Sequence, residues 1–233
     1  MHQKELNERS PLLVLDQSIL GGLGRGNIGV IVARQGVGKT SFLVGVALDD
    51  LMRGRNVLHV SLEQPADRVR TYYDEIFAEL CHSERLDDVW RVHMDLERHR
   101  RIHSYLGGTF TMQKFRDAVG FMKQHGAFAP DAVVVDGFEF ADATVEDMAA
   151  LRQLAKELDA ELWMSAVTTR EAARNERGSP EPVAHLESAI DVILSMAHGG
   201  KAVRVGLHKD HDNPKVSELK LALDPTTLLL IKE

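Results

Sequence analysis

Residues 33–41 read Ala33-Arg34-Gln35-Gly36-Val37-Gly38-Lys39-Thr40-Ser41. The apolar run Ile28-Gly29-Val30-Ile31-Val32 precedes them, and Phe42-Leu43-Val44-Gly45-Val46-Ala47-Leu48 follows at helical spacing. The sequence therefore predicts a strand, a Gly-rich loop and a helix in that order. Glycines at 36 and 38 let backbone N–H groups turn inward around an anion, where a side chain would block close approach. A helix opening at Lys39 aims its positive end at the same place. This is the chemistry of a phosphate-binding loop. Gly36, Val37, Gly38, Lys39, Thr40 and Ser41 are the candidate binding residues, with Lys39 reaching the β- and γ-phosphates and Thr40 ligating Mg²⁺. Ala33 stands where the common pattern has glycine, at the strand end and ahead of the tightest part of the turn.

A chain of 233 residues suits one α/β domain with a substantial core. The opening Met1-His2-Gln3-Lys4-Glu5 has no apolar h-region, and no apolar run approaches a membrane span, so a cytoplasmic protein is expected. Cys81 is the single cysteine, which excludes internal disulfides and a cysteine-rich metal site. A net charge of −7 argues against tight nonspecific nucleic-acid binding, which depends on neutralising phosphates.

Outward from the loop, residues 1–14 read as an N-terminal arm, its first ten residues polar and loosely docked, and 15–233 as one domain. A short helix leads into the Gly-rich turn Leu20-Gly21-Gly22-Leu23-Gly24-Arg25-Gly26. Strands are expected at 28–33, 57–62, 132–136, 162–167, 190–194, 202–207 and 219–223, the last as an edge strand because its polar positions alternate. Helices are expected from the loop to about residue 53, over 66–80, after Thr111 with Phe115, Val119 and Met122 on one face, and over 144–159. The stretch 83–105 is polar and mixed in charge, and its run Arg98-His99-Arg100-Arg101-Ile102-His103 reads as a solvated helix surface. His99 and His103 have helical metal-ligand spacing, but the surrounding arginines repel a cation. The whole pattern predicts a mostly parallel twisted sheet flanked by helices, with an antiparallel C-terminal extension.

In such a sheet ligands sit outside the carboxyl ends of the strands. Glu63 and Asp136 both fall at strand ends of this kind. Asp136, closing Ala132-Val133-Val134-Val135, is the candidate partner of Thr40 in holding Mg²⁺. Glu63, closing Val57-Leu58-His59-Val60-Ser61-Leu62, is the candidate for orienting the attacking water.

The phosphate loop, Ser61-Leu62-Glu63 and the Val-Val-Val-Asp136 strand together resemble the RecA-like P-loop ATPases, especially the DnaB helicase and KaiC/RadA group. The lead-in 20–26, the segment His185–Leu194 and the terminal strands extend the similarity over about residues 15–230. The resemblance implies ATP and Mg²⁺ as cofactors and ring or filament assembly of identical subunits, with ATP at their interfaces. It implies a catalytic role for Glu63 and Lys39, and for Lys209 as a cation reaching a neighbour's γ-phosphate. Where relatives carry a second cation, an arginine, this chain has His211, whose imidazole is expected to be mostly neutral at pH 7. Where many relatives carry a polar sensor, this chain has Val167, followed by Thr168. A loop over about 169–184, holding Arg170, Arg174 and Arg177 among Glu171, Glu176 and Glu181, corresponds to the channel-facing loop of relatives, but its near-neutral balance favours a solvated loop over DNA contact. The implied function is ATP hydrolysis, linked to DNA as in helicases and recombinases. The alternative is an ATP-dependent assembly or signalling switch with slow hydrolysis and no nucleic-acid activity. A small-molecule kinase would share the loop, but no substrate lid is legible.

Overall fold

The computed structural model describes residues 3–19, 21–169, 174–176, 178–213, 215–216 and 218–232. Strands β1 (Ile28–Ala33), β2 (Val57–Ser61), β3 (Arg100–Ser104), β4 (Ala132–Asp136), β5 (Glu161–Val167), β6 (Val192–Gly199), β7 (Ala202–Asp210), β8 (Leu221–Leu223) and β9 (Leu230–Lys232) join in one sheet. Its order is β3-β2-β4-β5-β1-β6-β7-β8-β9. Strands β1 to β6 run parallel, and β7, β8 and β9 are antiparallel additions. The helices are α1 (Gln3–Arg9), α2 (Leu12–Ser18), α3 (Lys39–Met52), α4 (Ala66–Glu84), α5 (Val89–His99), α6 (Met112–His125) and α7 (Val145–Leu158), with a 3₁₀ turn at Ala184–Ala189.

Successive strand residues point to opposite faces, so the central parallel strands feed two cores. On one face Ile31, Val134, Trp163 and Leu194 pack with Phe42 and Leu43 of α3 and with Val69 and Tyr73 of α4. On the other, Val30, Val133, Leu162 and Ile193 pack with Phe115 of α6 and with Met148 and Leu151 of α7. This is why β1 and β4 read as almost unbroken apolar runs that lead into functional residues, and β2 as one interrupted by His59: every residue of each is buried. Thr111 caps α6 through Lys114 N, and Thr144 and Asp147 form a reciprocal capping box at the start of α7.

Several expectations need correction. The N-terminal arm is held rather than loose: Gln3 Nε2 and Asn7 Nδ2 both donate to Met52 O, at 2.8 and 2.9 Å, satisfying a carbonyl that α3 leaves open at its end. The polar stretch 83–105 holds a helix, α5, and a sheet-edge strand, β3, which pairs in parallel with β2. The basic run is split between them. Arg100 is buried with its guanidinium 4.5 Å from the Tyr73 ring centre, and Arg101 stacks over Phe128. His99 ends α5 and His103 lies in β3, so they share no helix face. Strand β8 is not an edge, because β9 covers it. As expected, the sheet is mostly parallel with an antiparallel C-terminal extension, which begins at β7. Among the described residues no helix is long and apolar enough to cross a membrane.

Candidate active site

The phosphate loop follows β1 and opens α3. Gly36 and Gly38 have φ of +78° and +111°, the left-handed region that favours glycine. A β-carbon on Gly38 would stand 2.5 Å from Leu223 Cδ2, so β8 packs directly beneath the turn. Val37 and Ser41 are buried and anchor the loop from inside. The Lys39 ammonium lies 3.4 Å from Arg34 O across the loop. Burial holds its pKa below the ordinary lysine value, against the opposing pull of the Asp136 and Glu63 carboxylates. Lys39 thus shares one electrostatic neighbourhood with both acids.

The sheet order β2-β4-β5-β1 brings the acids to the loop. The Thr40 hydroxyl donates to Asp136 Oδ2 at 2.6 Å. The Ser165 hydroxyl of β5 donates to Asp136 Oδ1 and accepts from Gly137 N at 3.0 Å. Asp136 is therefore gripped on both oxygens and is 7% exposed. Glu63 lies just past the end of β2, exposed, with its Cγ and Cδ against Gly137. Behind Asp136 on β2, His59 is fully buried, with Nδ1 at 3.0 Å from Tyr73 Oη. Burial pushes its pKa down to about 4, so it is neutral at pH 7. The donor set of a hydroxyl and a carboxylate oxygen, both hard and already in contact, fits Mg²⁺.

Five sequence-derived residues converge here: Gly38, Lys39, Thr40, Glu63 and Asp136. Ser165 was missed, since a serine inside Leu162-Trp163-Met164-Ser165-Ala166-Val167 carries no signature of its own. Val167 is exposed and pairs in register with Ala33 at the loop's root, and Thr168 N donates to Ala33 O at 3.1 Å.

Lys209 lies elsewhere. It sits in β7 opposite Ile193, toward the end of the parallel sheet remote from the phosphate loop. It is half-buried rather than an exposed loop lysine, and its ammonium donates to Glu187 O at 2.7 Å and to Ile190 O. His211 is engaged through both ring nitrogens. One ring nitrogen is 2.9 Å from Asp210 Oδ1 and the other 3.0 Å from Leu23 O. Burial pulls its pKa down, but these two acceptors and the nearby Asp191 charge outweigh that and raise it above the ordinary histidine value. Of the 169–184 loop, Arg170, Glu171 and Arg177 lie outside the described residues, and Arg174 donates to Gly178 O at 2.9 Å. Among the described residues, one other group converges as metal ligands do, Asp74, His93 and Glu97. Glu97 there already pairs with Arg70 and Arg100.

A family model described as the AAA domain matches residues 7–164. A DnaB-like replicative helicase of Enterobacteria phage T4 is 26% identical over 189 residues, covering 69% of this chain. The chain spans about two fifths of that helicase's length, 39%. A solved structure of an ATPase domain superposes with a TM-score of 0.70 at 16% identity, over 99% of this chain and 95% of that one, a likeness of fold. With the phosphate loop, Thr40 and Asp136 in contact at the carboxyl ends of such a sheet, the chain belongs to the AAA domain family and is a RecA-like P-loop ATPase resembling the DnaB group.

Proposed function

We propose that this chain binds ATP with Mg²⁺ and hydrolyses it. The observation that carries this is the contact between Thr40 and Asp136 beside Glu63 and Lys39, four groups from three separate strand ends. The backbone amides of 36–41 and the Lys39 ammonium would hold the β- and γ-phosphates. Thr40 and Asp136 would hold Mg²⁺, which when bound neutralises charge on the phosphate oxygens. Glu63, at the rim, would orient a water toward the γ-phosphorus and take its proton as the bond to the β-phosphate oxygen breaks. Ser165 would act as a positioning residue, fixing the orientation of Asp136 through its hydrogen bond to Oδ1.

The test is a pair of variants. Lys39→Ala should abolish ATP binding, and Glu63→Gln should bind ATP as well as the parent while losing turnover by at least about a hundredfold. Undiminished turnover in Glu63→Gln removes the assignment of Glu63.

Assembly into a ring or filament and a link to DNA are proposed from the helicase relative. A slow, DNA-independent switch is the second reading, and one observation favours it. Lys209 and His211 are both engaged inside their own chain, which leaves neither side chain free to reach a neighbour without breaking those bonds. Turnover with and without single-stranded DNA, alongside particle mass by light scattering with and without ATP, separates the two. DNA-stimulated turnover supports the first; ATP-driven assembly with slow, DNA-indifferent turnover supports the second.

A further inference from the structure

Glu63 stands at the rim of the site without a hydrogen bond of its own. Among the described residues its carboxylate forms no hydrogen bond or ion pair, and its side chain packs against Gly137. A long, exposed side chain has many rotamers open to it. Its placement therefore depends on how firmly the backbone beneath it is held.

That backbone is held on both sides. Before Glu63, Leu62 N donates to Asp136 O at 2.9 Å. After it, Gln64 is gripped by two serine hydroxyls. Gln64 N donates to Ser61 Oγ at 3.0 Å, and Ser104 Oγ donates to Gln64 O at 3.0 Å. Gln64 N lies in the same planar peptide unit as the Glu63 carbonyl, so fixing one fixes the other. Pro65 follows with a φ of −67°, and a proline restricts the residue before it to extended backbone. Both peptide planes of Gln64 are thus pinned, and α4 starts directly afterwards at Ala66.

The two serines differ in origin. Ser61 ends β2, is buried, and reaches three residues along its own segment. Ser104 ends β3, the strand at the sheet's edge, and reaches a residue 40 positions away. Ser104 stands opposite Ser61 in the β2–β3 register, and Tyr105 N donates to Ser61 O at 2.9 Å, carrying the ladder one residue further. The other end of β3 is anchored by Arg100, which is buried against the Tyr73 ring and paired with Glu97. A fixed strand, not a loop, therefore delivers the Ser104 hydroxyl. Ser104 is only half-buried, so water can take over its bond when the hydroxyl is removed, and the fold survives.

We propose that Ser104, together with Ser61, is a positioning residue for hydrolysis: the two hydroxyls clamp Gln64 and so hold the Glu63 carboxylate over Gly137, beside Lys39 and Asp136. This role rests on the reading of Glu63 as the residue that orients water. Loosening the clamp spreads the carboxylate over positions from which it cannot align a water, while residues 36–41 hold the phosphates as before.

The experiment measures ATP binding and single-turnover hydrolysis by the full chain with Mg²⁺. The variants are Ser104→Ala, Ser104→Thr, Glu63→Gln and the double variant Ser104→Ala/Glu63→Gln, with Ser83→Ala on the exposed side of α4 as control. Expected for Ser104→Ala is ATP affinity within about a factor of two of the parent and a hydrolysis rate lower by about tenfold or more. Ser104→Thr keeps the hydroxyl and suits a strand, so it should recover most of the rate. In the Glu63→Gln background the serine change should have almost no further effect, because it acts through that carboxylate. A parental rate in Ser104→Ala overturns the proposal, and so does an equal fold-loss with and without the Glu63 carboxylate. ATP affinity falling in step with the rate, unrescued by threonine, also overturns it, since a general loosening of the fold would give that pattern. A parental rate in Glu63→Gln removes the underlying reading and the clamp with it. A lost rate there beside a parental rate in Ser104→Ala removes the clamp alone.

Discussion

Glu63 rests on the backbone of Gly137: a β-carbon there would stand 2.7 Å from Glu63 Cγ and 3.1 Å from its Cδ. The two residues come from adjacent strands β2 and β4, and Gly137 directly follows Asp136. Glycine is needed twice over, for the space and for a φ of +88°.

Gly137→Ala should therefore displace Glu63 while leaving the phosphate loop intact. The expected outcome is ATP affinity within a factor of about three of the parent and turnover lowered at least tenfold, which is about 1.4 kcal/mol of barrier. Parallel measurement of nucleotide binding and steady-state hydrolysis checks this. Turnover at the parental rate would show that Glu63 need not lie where it does.

Ser165→Ala removes the donor to Asp136 Oδ1 and the acceptor for Gly137 N together. A lost bond of this buried kind costs on the order of 1–2 kcal/mol. A lower melting temperature is expected, together with a rise in the Mg²⁺ concentration needed for half-maximal turnover. Ser165→Thr, which keeps the hydroxyl, should restore much of the metal response, and a purely structural role would not produce that split.

Asp50 makes stability fall as pH rises. Its folded pKa of about 7 exceeds the ordinary 3.8, so between those values the folded chain keeps a proton that the unfolded chain has lost. The stabilisation is full below about pH 4 and gone above about pH 7, and it is worth at most about 4 kcal/mol. Asp50→Asn should flatten the melting-temperature profile across that window and melt higher than the parent at pH 8. A parental slope retained in the variant would contradict this account.

His211 acts in the same direction over a different range. Its folded pKa is raised, so its contribution is present below the ordinary 6.5 and is lost as pH climbs through the folded value. His211→Ala should lower the melting temperature more at pH 6 than at pH 9. Amide hydrogen exchange should report faster opening of the turn at 21–24, which the His211 contact to Leu23 O now holds.

The phosphate loop, Asp136 and Glu63 were legible because each sits beside an apolar strand buried on both faces, where a polar or glycine residue is conspicuous. The stretch 83–105 was not legible. Only Val92 and Leu96 of α5 are buried, and β3 pairs on one side alone, so neither leaves a strong apolar pattern. The three-residue strand β9 is too short for a periodic signal, which is why the strand before it reads as the sheet's edge.

The amino-acid order by itself determined the local chemistry: where the chain turns tightly enough to wrap an anion, which helix points at it, and which strands end in an acid. Those properties belong to short segments and follow from backbone sterics and side-chain type. Which acids meet was decided only by strand order in the folded sheet. That order places β5 between β4 and β1, setting Ser165 beside Asp136, and it ties Lys209 and His211 into their own chain. Such contacts join residues far apart in sequence, and no pattern within a short segment can encode them.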